Sequence, residues 1–305
     1  MASAFAAVLA LLSLANALHP AIDSLSHFRL HLAALSFASA ALLLVMQRWR
    51  RFAAITCLAA IAASAITLIP IMTPTAVRTA AESASEKTYR LMQANLRFDN
   101  ESPEPLFALL EQSRPDIVTL QEVSRIWIAR LGVLQAAYPH RVICERESRL
   151  GGAAILSRFP IKPGSTNCVD DGLLAFATIE FDGQQVDVAS LHLHWPWPYD
   201  QPDQAAWNAR DLRRLGDTAL LAGDFNAAPW SHTTDVLAEG GGLHAAGFVG
   251  PTWLRAWLPD TLRRYAGLPL DQILVKGAIS VGEIERGPSV GSDHLPVLME
   301  FRLAD

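Results

Sequence analysis

The chain has 305 residues, 51% of them hydrophobic, with a formal net charge of −5. That length suits one domain of roughly 200–250 residues plus additional segments. The three cysteines show no paired Cys and His spacing of a zinc site, and the acidic balance argues against a broad basic surface for nucleic acid.

Residues 2–18 (ASAFAAVLALLSLANAL), 28–46 (FRLHLAALSFASAALLLVM) and 52–72 (FAAITCLAAIAASAITLIPIM) are nearly free of charge. Each is about as long as a bilayer crossing, roughly 20 residues. They follow one another with almost no amphipathic period, unlike core helices. Residues 1–72 therefore read as a membrane region of about three transmembrane helices. Arg48, Arg50 and Arg51 fall between the second and third segments. The positive-inside rule puts that loop in the cytoplasm and the chain after the third segment outside it, in the periplasm or extracellular space. The stretch SLANA resembles a cleavage site, yet no Lys or Arg precedes the apolar run, so the first segment reads as a retained helix. Residues 73–88 (TPTAVRTAAESASEKT) have the composition of a linker.

A soluble domain over residues 89–305 follows. Beyond residue 80 the chain holds 20 basic and 29 acidic residues, a formal −9. Cys57 lies in the third apolar segment, whereas Cys144 and Cys168 fall in the soluble domain. Export permits oxidation, so these two are the candidate disulfide, with two buried thiols as the alternative.

In chain order, YRLMQANL reads as a strand ending at Asn95, and SPEPLFALLEQSR as a helix with Pro near its start. PDIVTLQEV is a buried strand ending at Glu122. SRIWIARLGVLQAAY is helical, with Ser124 as its N-cap. HRVICE, GGAAILSRFPI, LLAFATIEF and QQVDVASLHLHW are strand-like runs joined by Gly and Asp turns. PDQAAWNARDLRRLG is a helix leading into LLAGDFNAAPWS, LPLDQILV is another strand, and GSDHLPVLMEFRL is a loop followed by a strand. No internal repeat appears. Strands dominate with helices between them, which predicts mixed sheets with helices on their outer faces.

The run LLAGDFN presents Asp224 and Asn226 two residues apart after a glycine. Strand alternation predicts that both point to one side of a glycine turn. Polar residues close other apolar strands in the same way: Asn95, Glu122, His192 or His194, Asp271, and Asp293 with His294. Oxygen donors in this number suit a hard divalent cation such as Mg²⁺, held by one or two carboxylates. Histidines titrating near neutrality suit proton transfer or stabilisation of a phosphoryl transition state.

Seven segments, QANL, LQEV, GGAAILSRFPI, SLHLHW, GDFNAAP, LPLDQILV and GSDHLPV, occur in an order and spacing that resemble the endonuclease/exonuclease/phosphatase (DNase I-like) superfamily. That group includes secreted DNase, abasic-site endonucleases, neutral sphingomyelinases and inositol polyphosphate phosphatases. The resemblance covers about Tyr89 to Leu303 and none of the first 80 residues. It implies a four-layered α/β sandwich, two packed mixed sheets flanked by helices, with the site at one end of the sheets. It further implies Glu122 as principal metal ligand, with Asn95 and Asp293 beside it, for Mg²⁺ or alternatively Mn²⁺. Asp224 and Asn226 resemble the residues that orient the attacking water and hold a phosphate oxygen. His294 resembles the catalytic histidine of an SDH motif, with Asp271 orienting it. His192 matches the family's THL position, with His194 as the alternative. Gln272 stands where many relatives carry Tyr or His, which puts one contact beside Asp271 in doubt.

Trp195, Trp197 and Trp207 flank the histidine strand, and Trp253 and Trp257 follow further on. Such rings stack on bases, rest at membrane interfaces, or simply pack. The expectation is a membrane-anchored, Mg²⁺-dependent phosphodiesterase or nuclease-type hydrolase facing outward. Its substrate is a phosphate ester, either nucleic acid or a phospholipid or small molecule, and no protein partner is expected. A phospholipid or sphingomyelin-type phosphodiesterase is the alternative to a nuclease. A non-catalytic binding protein on this fold would have lost catalytic positions, and none is missing.

Overall fold

Polar residues at strand ends and apolar residues along the strands predict a sheet architecture whose site lies at one rim. The computed structural model, describing residues 2–72 and 87–304, has that arrangement. The expected linker lies, apart from Lys87 and Thr88, outside the described residues.

The N-terminal part contains α1 (Ala2–Leu12), α2 (Pro20–Ser26), α3 (Arg29–Leu44) and α4 (Arg50–Met72). Small residues, among them Ala10, Ala40, Ala53 and Ala63, are buried where these helices meet. Hydroxyls tie the helices together: Ser3 donates to Thr56 Oγ1 at 2.8 Å, and Ser36 donates to the Ser3 carbonyl at 3.0 Å. Close helix contact through small residues with interhelical hydrogen bonds is the packing mode of helices in lipid. Large apolar side chains point outward instead, with Phe5 68% and Leu42 76% exposed. Among the described residues one helix, Gln47–Met72, is long and apolar enough to cross a bilayer. A second candidate is the pair α2 and α3, bent by 60°, while the helical stretch Ala2–Leu18 is shorter. The second apolar segment thus enters the region through a bend at His27 and Phe28.

The remaining elements are β1 (Tyr89–Asn95), α5 (Glu104–Ser113), β2 (Ile117–Val123), α6 (Arg125–Arg130), β3 (His140–Ile143), β4 (Gly152–Ser157), β5 (Asn167–Val169), β6 (Leu174–Phe181) and β7 (Gln184–His192). They continue with α7 (Gln201–Leu212), β8 (Ala219–Asp224), α8 (His232–Gly241), β9 (His244–Ala245), α9 (Arg263–Ala266), β10 (Asp271–Lys276), β11 (Ile279–Arg286) and β12 (Val297–Leu303). Two six-stranded sheets result, ordered β11-β12-β1-β2-β4-β3 and β5-β6-β7-β8-β10-β9. Alternate residues of the strands meet between the sheets, where Leu91, Ile155, Val188, Ile273 and Phe301 are buried in one cluster. The opposite faces pack on helices, Met92 and Leu120 with Leu106 and Trp127 on one side, Leu191 and Leu221 with Leu212 and Leu237 on the other. The chain is therefore a four-layered α/β sandwich, as the resemblance implied.

Parallel pairing places the functional strand ends together. β1 runs parallel to β2, and β7 runs parallel to β8 with His192 opposite Asp224. Antiparallel β10 brings its first residue, Asp271, opposite Asp224 as well. A glycine allows the β7–β8 approach, and a second close contact lies beside β4. A Cβ on Gly223 would lie 1.9 Å from the Leu191 carbonyl oxygen, so this glycine serves strand approach and not a turn. A Cβ on Gly152 would lie 2.0 Å from the Cys144 carbonyl oxygen. Cys144 and Cys168 form a disulfide in the structure.

The helical region docks on the sandwich through α2. Asp23 accepts hydrogen bonds from the backbone N–H groups of His232 (2.7 Å) and Thr233 (3.0 Å) and from the Thr233 hydroxyl (2.8 Å). Its carboxylate thus sits at the N-terminus of α8, where the helix dipole favours negative charge. Trp230 Nε1 donates to the Ser26 carbonyl at 2.7 Å, and Asn16 Nδ2 donates to the Trp230 carbonyl at 3.0 Å.

Candidate active site

A cleft of about 210 Å³ opens at the strand-end rim, and it is lined by Glu122, His192, His194, Asp224, Asn226, Asp293 and His294. Each reaches it for a local reason. Glu122, the next-to-last residue of β2, has φ +57 beside a register shift between Leu120 and Val123, a bulge that re-aims the side chain. Its Oε2 accepts from the Phe98 N–H at 2.8 Å and its Oε1 from Asn95 Nδ2 at 3.1 Å. Asn95 also donates to Asp224 Oδ2 at 2.9 Å, so one amide links the two sheets.

Asn226 corrects the alternation expected for LLAGDFN. β8 ends at Asp224, and Asn226 adopts φ +46 in the following turn. Its N–H donates to Asp224 Oδ1 at 2.9 Å, an Asx-type turn, and its Nδ2 donates to the Leu193 carbonyl at 2.8 Å. The two side chains share the cleft because of this turn and not because of strand periodicity. Ser124 likewise does not cap α6 with its side chain; its hydroxyl donates to the Phe98 carbonyl at 3.0 Å.

The proton-handling groups form a buried chain. His294 Nδ1 donates to Asp271 Oδ2 at 2.8 Å, which directs Nε2 to within 3.4 Å of Asp224 Oδ2. Asp271 is held in turn by Gln93 Nε2 at 2.9 Å, and Gln93 and Gln121 continue the network to Ser190. His192 Nε2 lies 3.6 Å from the same Asp224 oxygen. His194 stands at the rim, where its Nδ1 meets Asp200 at 2.8 Å.

These environments set the charges. Burial opposes protonation of His294, but the Asp271 and Asp224 carboxylates outweigh it and push the imidazole up to about 10. Burial pushes His192 down to about 3, and the charge of His294 acts in the same direction. Burial raises Asp224 above the usual carboxylate range despite the nearby His294. Burial likewise raises Glu122, against the hydrogen bonds from Phe98 and Asn95.

The donor chemistry fits a hard divalent cation. Carboxylates of Glu122 and Asp293 line one cleft with the Asn95 amide beside Glu122, and burial, with the nearby Asp293 adding to it, disfavours the Glu122 charge that a cation would stabilise. Asp224, Asp271 and His294 also place ligand atoms within 4.8 Å of one another. Hydrogen bonding between His294 and Asp271 already engages that trio, so it suits proton handling better than ligation.

Two contributors carry no motif. Arg146 lines the cleft and pairs with Asp171 at 2.7 Å, from a loop whose sequence offers no signal for it. Trp253 Nε1 donates to Asp293 at 3.1 Å, and its ring faces both Trp195 (5.4 Å) and His294 (6.4 Å). Gln272 turns away from the cleft and donates to the carbonyls of Pro269 and Ala227.

The model of the Endonuclease/Exonuclease/phosphatase family matches residues 92–294. No curated protein matches the chain by sequence. Among solved structures, humanized D. rerio TDP2 aligns with a TM-score of 0.58 at 16% identity, covering 70% of this chain and 98% of that one. The endonuclease/exonuclease/phosphatase from Beutenbergia cavernae DSM 12333 aligns at 0.57 and 22% identity, covering 72% of each chain. The beta toxin from Staphylococcus aureus, solved with bound magnesium ions, aligns at 0.52 and 16% identity, covering 72% of this chain and 100% of its own. At such identities the likeness concerns the fold.

Proposed function

The chain belongs to the endonuclease/exonuclease/phosphatase family, and from that premise we propose a membrane-anchored, divalent-metal-dependent phosphodiesterase whose catalytic domain lies outside the cytoplasm. It is a hydrolase of phosphate esters; the metal, the anchor and the location are the proposed part. The observation that carries the reading is the convergence of Asn95, Glu122, Asp224, Asp271 and His294 through side-chain contacts at one rim.

Glu122, Asn95 and Asp293 would hold Mg²⁺ or Mn²⁺. When bound, such an ion supplies positive charge against the charge developing on phosphate and leaving oxygens. Asp224 orients the attacking water: its Oδ2 accepts from Asn95 and lies 3.6 Å from His192 Nε2 and 3.4 Å from His294 Nε2, between the metal-side and proton-handling groups. Asn226 and His192 face the phosphate oxygens, and Arg146 adds a fixed cation. His294 holds or moves a proton at Nε2, its tautomer fixed by Asp271.

Anchoring is supported by the inverted polarity of the helical region, small and hydroxyl residues inside and large apolar residues outside. Asn16 and Asp23, near one end of α1 and α3, face the sandwich, whereas Arg48, Arg50 and Arg51 join the opposite ends of α3 and α4. The positive-inside rule then puts the sandwich on the outer side. The test uses the full-length chain in lipid nanodiscs with bis-p-nitrophenyl phosphate. Turnover should require Mg²⁺ or Mn²⁺ and disappear with EDTA; turnover indifferent to EDTA contradicts the metal assignment.

A further inference from the structure

A second cavity, about 340 Å³, adjoins the catalytic cleft. Asn226, Trp195 and Trp253 line both, so a molecule whose phosphate contacts Asn226 extends directly into it. Its outer walls come from two regions distant in sequence. The α2–α3 bend contributes His27, Phe28 and His31, and the stretch 253–270 contributes Leu254, Leu258 and Leu268. The two are joined where His31 Nε2 donates to the Ala266 carbonyl at 3.1 Å. That bond leaves His31 Nδ1 as an acceptor, and this buried nitrogen finds no hydrogen-bond partner among the described residues. Nor does Nε2 of His27, a residue only 2% exposed. Both nitrogens are sealed from solvent behind the groove's wall, so the surface the two residues offer to the groove is not a hydrogen-bonding one.

We propose that this groove is a subsite for the alkyl chain of an amphiphilic phosphodiester, a lipid whose phosphate occupies the adjoining cleft. The inference rests on the phosphodiesterase reading and names its substrate class. Three observations favour a lipid over a nucleic acid. The groove's walls are aliphatic and aromatic with no acidic side chain and one basic one, Arg255. One wall belongs to the helical region that carries the outward apolar side chains, so the groove opens beside the proposed bilayer. The stretch 253–270 that carries the opposite wall also exposes Trp257 (76%) and Tyr265 (85%) outside the groove, residue types that settle at a membrane interface. A volume of 340 Å³ lies within the usual range of ligand pockets.

The experiment compares p-nitrophenyl phosphodiesters whose other ester group is methyl, butyl or octyl, each below its micelle concentration, with the full-length chain in nanodiscs. Water attacks phosphorus, the bond to nitrophenolate breaks, and the alkyl phosphate monoester remains, so one chromophore reports all three. The expected result is a kcat/KM at least tenfold higher for octyl than for methyl, with the ratio falling at least fivefold in Leu258→Asp and in Phe28→Asp. Both positions are partly solvent-exposed, so a charge there is compatible with folding. Metal-dependent turnover of the methyl ester without a gain for octyl overturns the subsite and leaves the phosphodiesterase reading standing. An octyl preference unchanged in both variants is partition into the bilayer and overturns the subsite too. Single-stranded DNA cleaved faster than the octyl ester, with no effect of Leu258→Asp, overturns it in favour of a nuclease. Failure to turn over any of these substrates overturns the reading beneath it.

Discussion

The sandwich and the helical region bury polar groups for opposite reasons. In the sandwich, polar side chains gather at one rim of an apolar interior, where Asp224 accepts from Asn95 and has His192 and His294 within 3.6 Å and 3.4 Å. In the helical region, polar groups are spread through the interior as interhelical ties. Arg29, for instance, is buried and donates from Nε to Ser13 Oγ at 2.9 Å and from Nη1 to Thr67 Oγ1 at 3.3 Å. The first arrangement concentrates charge for chemistry, and the second satisfies hydrogen bonds where water is scarce. A residue's effect when removed should therefore divide accordingly: rate in the sandwich rim, stability in the helices and their docking contacts.

The largest effect is expected at the rim. Glu122→Gln should lower kcat/KM by about 10³-fold, since several kcal/mol of charge stabilisation depend on the ion it would hold. His294→Ala should cost about 10²- to 10³-fold, in the range of a lost acid–base group. A steady-state assay with bis-p-nitrophenyl phosphate measures both, and a loss under tenfold in either breaks the division. Asp23→Ala tests the other side. Its carboxylate satisfies two backbone N–H groups and a hydroxyl at the start of α8, so about 1–3 kcal/mol of stability should go. The thermal midpoint should fall by several degrees while activity at low temperature changes less than tenfold. Equal stability with a collapse in rate would make the docking contact part of the chemistry.

A finer effect concerns pH. His192 is pushed down to about 3 by burial, while in the unfolded chain it takes up a proton near 6.5. The unfolded state therefore binds the extra proton first, and stability falls as pH drops below about 6.5, by up to about 1.4 kcal/mol per unit. Thermal midpoints between pH 7 and 5 should fall more steeply for the wild type than for His192→Asn. Parallel slopes would place His192 in contact with water.

Much of the rim was legible because the sequence places its polar residues at the ends of apolar runs. Asp271 after LPL and His294 in GSDHLPV could be paired by resemblance, and the 2.8 Å contact joins them. The disulfide partners followed from compartment and count. Other features depend on through-space packing that no local pattern encodes. Asn226 reaches its place through a left-handed turn, which alternation does not predict. Arg146 and Trp253 enter the cleft from loops of ordinary composition. Asp23 is the one acidic residue among the first 80, yet its partners lie more than two hundred residues away on α8. The bend between α2 and α3 also escaped the hydropathy pattern, because composition reports how apolar a segment is and not whether it is straight.

The most direct test of the central claim is a calorimetric Mg²⁺ titration of the full-length chain beside Glu122→Gln and His294→Ala, with turnover measured on the same samples. Glu122→Gln should lose both Mg²⁺ binding and turnover, while His294→Ala should bind Mg²⁺ and lose turnover. Undiminished Mg²⁺ binding by Glu122→Gln would contradict the claim.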